Sequence, residues 1–350
     1  MPAPPLPRRI VWLMALVSLV GYALRTNITI AQEYMAPALG LSMAQMGFIS
    51  AWGFQLSYAL FQLPGGFLGD RYGARLVLGL AIAGWAVASL AAGALGMALA
   101  PLTLAPLMVA AGWRAVFVAS AAIAAATAAL WFTLAPRRAE PSGTQAYVPI
   151  GVQLRRSLAL LRQPPLLVLS VSYVLHSAVF FVFVFWFFRY LTEARGFSVL
   201  ASGAWGSVPF FMAFASAPVM GRAADGWARR APRAVVRRRV AMGCLLSAAA
   251  FVLAGAVLPT PTLAILALGV TVSALMSAEA PYWTTATALT PGPPGSAGGL
   301  LNLMGNLGGV LSIWLVPLMT EVWGWTVVLA VWGGVAAVAA LLWLAVAPGD

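Results

Sequence analysis

Gly66-Phe67-Leu68-Gly69-Asp70-Arg71-Tyr72-Gly73-Ala74-Arg75 closes one long apolar run and opens the next. Glycines permit a tight turn and close helix packing, and an acid beside arginines at a helix end can pair and face another helix's positive amino terminus. A looser copy, Gly221-Arg222-Ala223-Ala224-Asp225-Gly226-Trp227-Ala228-Arg229-Arg230, ends the run 200–222 with the same glycine-to-aspartate spacing. Two copies at corresponding places predict a chain of two related halves, each beginning with a pair of apolar helices.

The composition around this repeat is that of a membrane protein. Of 350 residues, 62% are hydrophobic and 8% charged, whereas about a quarter of a soluble chain is charged. A soluble enzyme, a disordered regulator and a disulfide scaffold are excluded, the last because Cys244 stands alone. All 20 basic residues are Arg and the net charge is +12. Sixteen of them flank apolar runs in four clusters (8–9, 71–75, 137–162 and 222–239), which is the positive-inside pattern and not a nucleic-acid patch. Arg114, Arg189 and Arg195 fall at outer ends, and Arg25 falls within a span. Eleven apolar runs follow one another: 10–33, 46–68, 76–94, 96–111, 115–135, 165–190, 200–222, 238–258, 262–286, 297–320 and 324–347. The first has no A-x-A cleavage pattern after it and is read as a retained helix. The polar stretch 136–163 reads as a cytoplasmic linker between an N-terminal bundle, 1–135, and a C-terminal six-helix bundle, 164–350.

A second repeated pair shows that the halves are unequal. Gly112-Trp113 and Gly324-Trp325 each precede the last span of a half, but they lie 212 residues apart while Asp70 and Asp225 lie 155 apart. The first half is therefore short by one span with its loops, near residues 95–96. With Arg75 inside and Arg114 outside, residues 76–113 must make a net single crossing. As one straight helix they would run about 57 Å, nearly twice the roughly 30 Å hydrocarbon core. A broken or re-entrant passage is expected, with Gly93, Gly96, Pro101 and Pro106 as break points.

The Gly66–Arg75 motif resembles the loop between the second and third helices of the major facilitator superfamily. Further pieces look like that superfamily's anion:cation symporter family: Tyr22-x-x-Arg25-x-Asn27, Tyr58 to Gly66, Phe185 to Ser198, Glu279-x-x-Tyr282-Trp283, and Asn302-x-x-x-Asn306-x-Gly308-Gly309. The resemblance implies an all-α, two-bundle fold with about 10–11 spans instead of 12. It implies a secondary carrier, symporter or uniporter, of small organic anions such as sugar acids, working by alternating access. In the family the motif residues Gly66, Asp70, Arg71, Gly73 and Arg75, with Asp225 and Arg229 in the second copy, help hold the halves together in one state.

The residues support an anion independently at one position. A guanidinium in mid-span costs several kcal/mol unless it faces a cavity or partner, and Arg suits bidentate carboxylate recognition. Arg25 resembles the family's substrate-binding arginine, with Tyr22 one turn earlier and Tyr58 on the second helix. Trp283, Asn302 and Asn306 match positions lining the sugar-acid site, though Gly and Asn there also serve close packing. Glu279 is intramembrane and reads either as a functional acid or as a locally paired one. His176, the single histidine, reads either as a polar lining residue or as a proton relay. Glu193 and Arg195 read as outer-loop charges. Leu24 stands where many members carry a coupling aspartate, and the fourth helix with its acid and arginine is missing, so the coupling ion, H+ or Na+, is open.

No Cys/His cluster, Walker loop or GxGxxG context is present, so neither an enzyme nor a cofactor or metal is expected. The overall expectation is a monomeric, multi-pass inner-membrane carrier with both termini cytoplasmic, a lipid bilayer and a small anion as its partners, and no nucleic acid. The alternatives are an efflux carrier of the same superfamily and a non-transporting remnant left by loss of the fourth helix.

Overall fold

The computed structural model describes residues 27–60, 94–134, 150–290 and 294–346, together with Leu16. Among these residues the chain is helical throughout, without strands. Helix α1 is Asn27–Ala38. Helix α2 begins at Met43, where Ser42 and Gln45 form a reciprocal capping box, and passes through a π-helical stretch, Ile49–Gln55, before continuing to residue 60. Helix α3 is Ala94–Leu134 and α4 is Ile150–Ala159. Then come α5, Pro164–Arg189 with a π turn at Tyr190–Ala194, α6, Val199–Ala228, α7, Arg233–Val257, α8, Pro261–Leu289, and α9, Pro294–Leu342. Six of the described helices are long and apolar enough to cross a membrane.

Two of those six are bent rods. Gly112 in α3 has φ 78° and ψ 167°, and Gly324 in α9 has φ 71° and ψ 168°. The repeated Gly-Trp pair thus codes for one repeated corner, at a backbone angle that L side chains rarely adopt. The corner in α9 turns the chain back. Gly305, before it, packs on Tyr173, while Ala339, after it, accepts a 2.7 Å hydrogen bond from Ser172, and Trp325 at the bend reaches Glu193 at the far end of α5. The two arms of α9 therefore lie antiparallel along α5, so that α5–α9 make six rods.

Close approach explains the composition of α9. A Cβ on Gly308 would strike the Val174 carbonyl, with the carbonyl carbon at 3.0 Å, and one on Gly305 would lie 2.6 Å from the Tyr173 ring and 2.9 Å from the Ser177 hydroxyl. Glycines let the α9 backbone lie against α5. The aromatic run Phe181, Phe183, Phe185, Trp186, Phe187 and Phe188 is buried on all sides of α5 because neighbours surround it.

Three expectations change. The arm 94–111 of α3 is continuous, and Pro101 and Pro106 lie inside it without breaking it; membrane helices accommodate proline because neighbours re-satisfy the freed carbonyls. Those 18 residues extend about 27 Å, enough for a crossing, while 61–93 lies outside the described residues. The second motif copy, 221–228, is still helix: it forms the last two turns of α6, with Asp225 exposed and Arg229 at the C-cap. The polar stretch 136–163 carries α4 in its second half.

Candidate functional site

A cavity of about 270 Å³ opens between α2, α5, α8 and α9, just under the roughly 300–1,000 Å³ of small-molecule pockets. Its walls follow helical periodicity. From α5 come Tyr173, Ser177, Phe180, Phe181 and Val184, from α8 Met276, Glu279 and Trp283, and from α9 Asn302, Gly305 and Asn306; Tyr58 enters from α2. The structure therefore brings together Tyr58, Trp283, Asn302, Asn306 and Glu279, five of the residues singled out from sequence. Tyr22, Arg25, Gly66, Asp70, Arg71, Gly73 and Arg75 lie outside the described residues, and Asp225 and Arg229 sit at the end of α6, away from the cavity.

The polar groups are organised by two buried knots. Asn306, 4% exposed, donates to the Asn302 carbonyl at 2.7 Å and to the Asn302 side chain at 3.1 Å, and accepts from Gln55 of α2 at 2.6 Å. It ties the first half of the chain to the second across the cavity floor. Glu279 forms the other knot: its Oε2 accepts from the Tyr173 hydroxyl at 3.0 Å and from the Trp283 indole at 2.8 Å. His176 is not a lining residue. It is 1% exposed, with Nε2 3.0 Å from the Leu275 carbonyl, and the rings of Tyr173 and Tyr282 flank it at 5.5 and 5.1 Å.

The halves also meet at the end of the molecule that carries both Gly-Trp corners. Arg189 on α5 lies 3.5 Å from Glu33 on α1 and 3.0 Å from Glu193, whose other contact is the Trp325 indole. Gln32 donates to the Phe185 carbonyl at 3.3 Å, and a Cβ on Gly47 would lie 2.7 Å from Pro317. Arg195, read from sequence as a loop charge, is instead a strut: it donates to Tyr190 at 2.6 Å and to the carbonyls of Leu258 and Gly255 at 2.9 and 2.8 Å, capping the end of α7. Arg189→Gln should loosen this end. With Cys244→Ala as background, a cysteine at Ser177 should react about two- to fivefold faster with an impermeant thiol reagent, as befits a partly exposed pair worth under about 1 kcal/mol; an unchanged rate would show that the pair does not hold the end shut.

Sequence reasoning missed Gln55, Tyr173 and Ser177. Gln55 and Ser177 carried a usable signal, since polar side chains inside apolar runs face a partner or a cavity. Tyr173 did not, being one aromatic of many.

Comparison with known proteins bears on the family and the fold. The profile of the Major Facilitator Superfamily matches residues 11–95 and 89–311. The chain is similar to a hexuronate transporter of Bacillus subtilis, 24% identical over 86% of this chain and 85% of that protein. It is similar over a shorter stretch to a probable galactarate/D-glucarate transporter of the same organism, 38% identical over 22% of this chain and 16% of that protein. Among solved structures it superposes on a POT family transporter in complex with a thioalcohol-conjugated peptide, with TM-score 0.72 and 14% identity over 96% of this chain and 95% of that one.

Proposed function

We propose, from the premise that the chain belongs to the major facilitator superfamily, that it carries small organic anions of the sugar-acid class across a membrane by alternating access. It is a multi-pass membrane protein of a superfamily of transporters, and not an enzyme. The observation that carries the substrate class is the cavity itself, where Tyr58 from one half meets Trp283, Asn302 and Asn306 from the other. Hydroxyl, indole and amide groups suit a polyhydroxylated ligand, and Arg25, two residues before buried Asn27, is the cation for its carboxylate. The hexuronate and glucarate carriers to which the chain is similar support the same class.

The working cycle rocks a bundle formed by 1–135 against one formed by 164–350, joined by 136–163, around that central site. The Arg clusters orient the protein, as a monomer in a cytoplasmic membrane, with both termini inside and the Gly112 and Gly324 corners outside. On that orientation the Arg189–Glu33 end is the outer gate, drawn closed. In this cycle Asp70→Asn should lower uptake at least about tenfold and Asp225→Asn less than about twofold, because the first motif copy is complete and Asp225 is exposed on a helix end. Equal losses in a vesicle uptake assay would remove the distinction.

A second reading has one observation behind it. The family match splits at residues 89–95, where the spacing of the repeats places a missing span, and a chain so shortened could insert without transporting. Uptake of radiolabelled hexonates and hexuronates into vesicles, with expression matched by immunoblot, separates the readings: uptake above empty vesicles supports the carrier, and none supports the remnant.

A further inference from the structure

We propose, resting on the sugar-acid reading above, that Gln55 is a positioning residue: it fixes the direction of a chain of amides so that Asn302 offers the ligand an N–H donor and not its carbonyl oxygen. Gln55 is fully buried and is not part of the cavity wall, so it acts through the residues it holds.

The direction follows from one group that can only accept. Asn306 Nδ2 lies 2.7 Å from the Asn302 backbone carbonyl, so the amino group of Asn306, and not its oxygen, faces that way. Its second hydrogen reaches the Asn302 side-chain oxygen at 3.1 Å. Asn306 Oδ1 is thereby turned to α2, where Gln55 Nε2 donates to it at 2.6 Å. Asn302, whose Oδ1 is taken by Asn306, has its amino group as the far end of the chain, on a residue of the cavity wall. Each amide donates in the same sense, from Gln55 to Asn306 to Asn302 and on to the ligand.

Two local features put Gln55 in place. Gly47 and Gln55 both face α9, Gly47 against Pro317 and the Ile313 carbonyl and Gln55 against Asn306. They stand eight residues apart, whereas two turns of α-helix take about seven. The π-helical stretch Ile49–Gln55, after which the Leu56 N–H reaches back to the Ala51 carbonyl, absorbs the extra residue. In an unbroken α-helix Phe54 would hold this position. On α9 a glycine makes the room: a Cβ on Gly309 would lie 2.8 Å from Gln55 Nε2 and 2.7 Å from the Phe181 ring. A wide turn in one half and a glycine in the other both serve one buried glutamine.

Without the Gln55 donor, Asn306 Oδ1 becomes an unmet acceptor on a residue 4% exposed, which carries the full cost of an unmade bond. The Asn306 amide is then no longer held by opposed bonds at its two ends. Once it turns, Asn302 loses the partner that keeps its oxygen away from the ligand. With Arg25 taking the carboxylate, the Asn302 donor takes a hydroxyl or ring oxygen of the sugar. The chain of amides runs from the first half to the second, so this donor is set only while α2 lies against α9.

Equilibrium binding of radiolabelled D-glucuronate to the purified full chain tests this in a double-mutant cycle. Asn302→Ala and Gln55→Leu should each weaken binding about fivefold or more. The double variant should bind no more than about twofold worse than Asn302→Ala alone, because Gln55 acts through the amide already removed. A merely structural bond between the halves gives the other pattern: Gln32→Leu, which removes the donor to the Phe185 carbonyl, should combine additively with Asn302→Ala. Size-exclusion chromatography checks that each variant folds; where Gln55→Leu does not, Gln55→Met, unbranched and of similar length, takes its place in the cycle. Additive losses from Gln55→Leu and Asn302→Ala overturn the proposal. So does wild-type affinity in either single variant, or a Gln32→Leu loss that vanishes in the same way. A wild type that binds no glucuronate overturns the sugar-acid reading, and the positioning role with it.

Discussion

Arg25→Ala should abolish uptake of sugar acids while leaving the protein able to insert. The twelve residues lining the described cavity include one acid, Glu279, and no cation, so an anion bound there depends on a positive charge from elsewhere. Arg25 is the single arginine within an apolar run and not at its edge. Its removal makes insertion easier by about 2.5 to 3.5 kcal/mol on biological scales, so lost activity cannot be ascribed to a harder insertion. A charge-assisted bidentate contact is worth about 1.5–3 kcal/mol, a loss of roughly ten- to a hundredfold in affinity before any effect on the cycle. Arg25→Lys should fail as well, since an ammonium lacks the planar fork that engages both carboxylate oxygens. Tyr58→Phe should be milder, removing a hydroxyl and leaving the ring. Uptake and immunoblot in the same vesicles check all three, and wild-type uptake by Arg25→Ala would return Arg25 to a structural role.

Gly308→Val should prevent assembly of the second half. The new Cβ would meet the backbone of α5 at the Val174 carbonyl and, at 3.1 Å, the Ala178 nitrogen, and backbone inside a helix cannot step aside as a flexible side chain can. Separating α9 from α5 also unseats Gly305 from Tyr173 and Asn306 from Gln55. The cost should reach or exceed about 3 kcal/mol, the upper end of overpacking. Size-exclusion chromatography and thermal unfolding in detergent measure it. Gly334→Val is the control, because nothing lies within 4 Å of a Cβ there; similar losses in both would mean that helix propensity, and not the α5 contact, sets the stability.

The parts of the fold legible in sequence were those coded locally. Gly112-Trp113 and Gly324-Trp325 read as corresponding corners, and the backbone at both glycines is nearly the same. Residues coded by distant partners were not legible. Arg195 looked like a loop charge because the carbonyls it caps, Gly255 and Leu258, lie 60 or more positions away. Pro101 and Pro106 looked like breaks because proline's local cost is plain in sequence and its remedy by neighbouring helices is not. In the site, Glu279 stood out as an acid within an apolar run, whereas Tyr173, its hydrogen-bond donor, was hidden in an aromatic-rich helix.

The most direct measurement is uptake of radiolabelled D-glucuronate by the purified chain in proteoliposomes, beside Arg25→Ala and empty liposomes. A functional carrier should accumulate the label in a saturable way that excess unlabelled glucuronate or galactonate abolishes, with Arg25→Ala at the level of empty liposomes. Saturable uptake that ignores both sugar acids, or label equal to that of empty liposomes in a monodisperse wild-type preparation, would contradict the account.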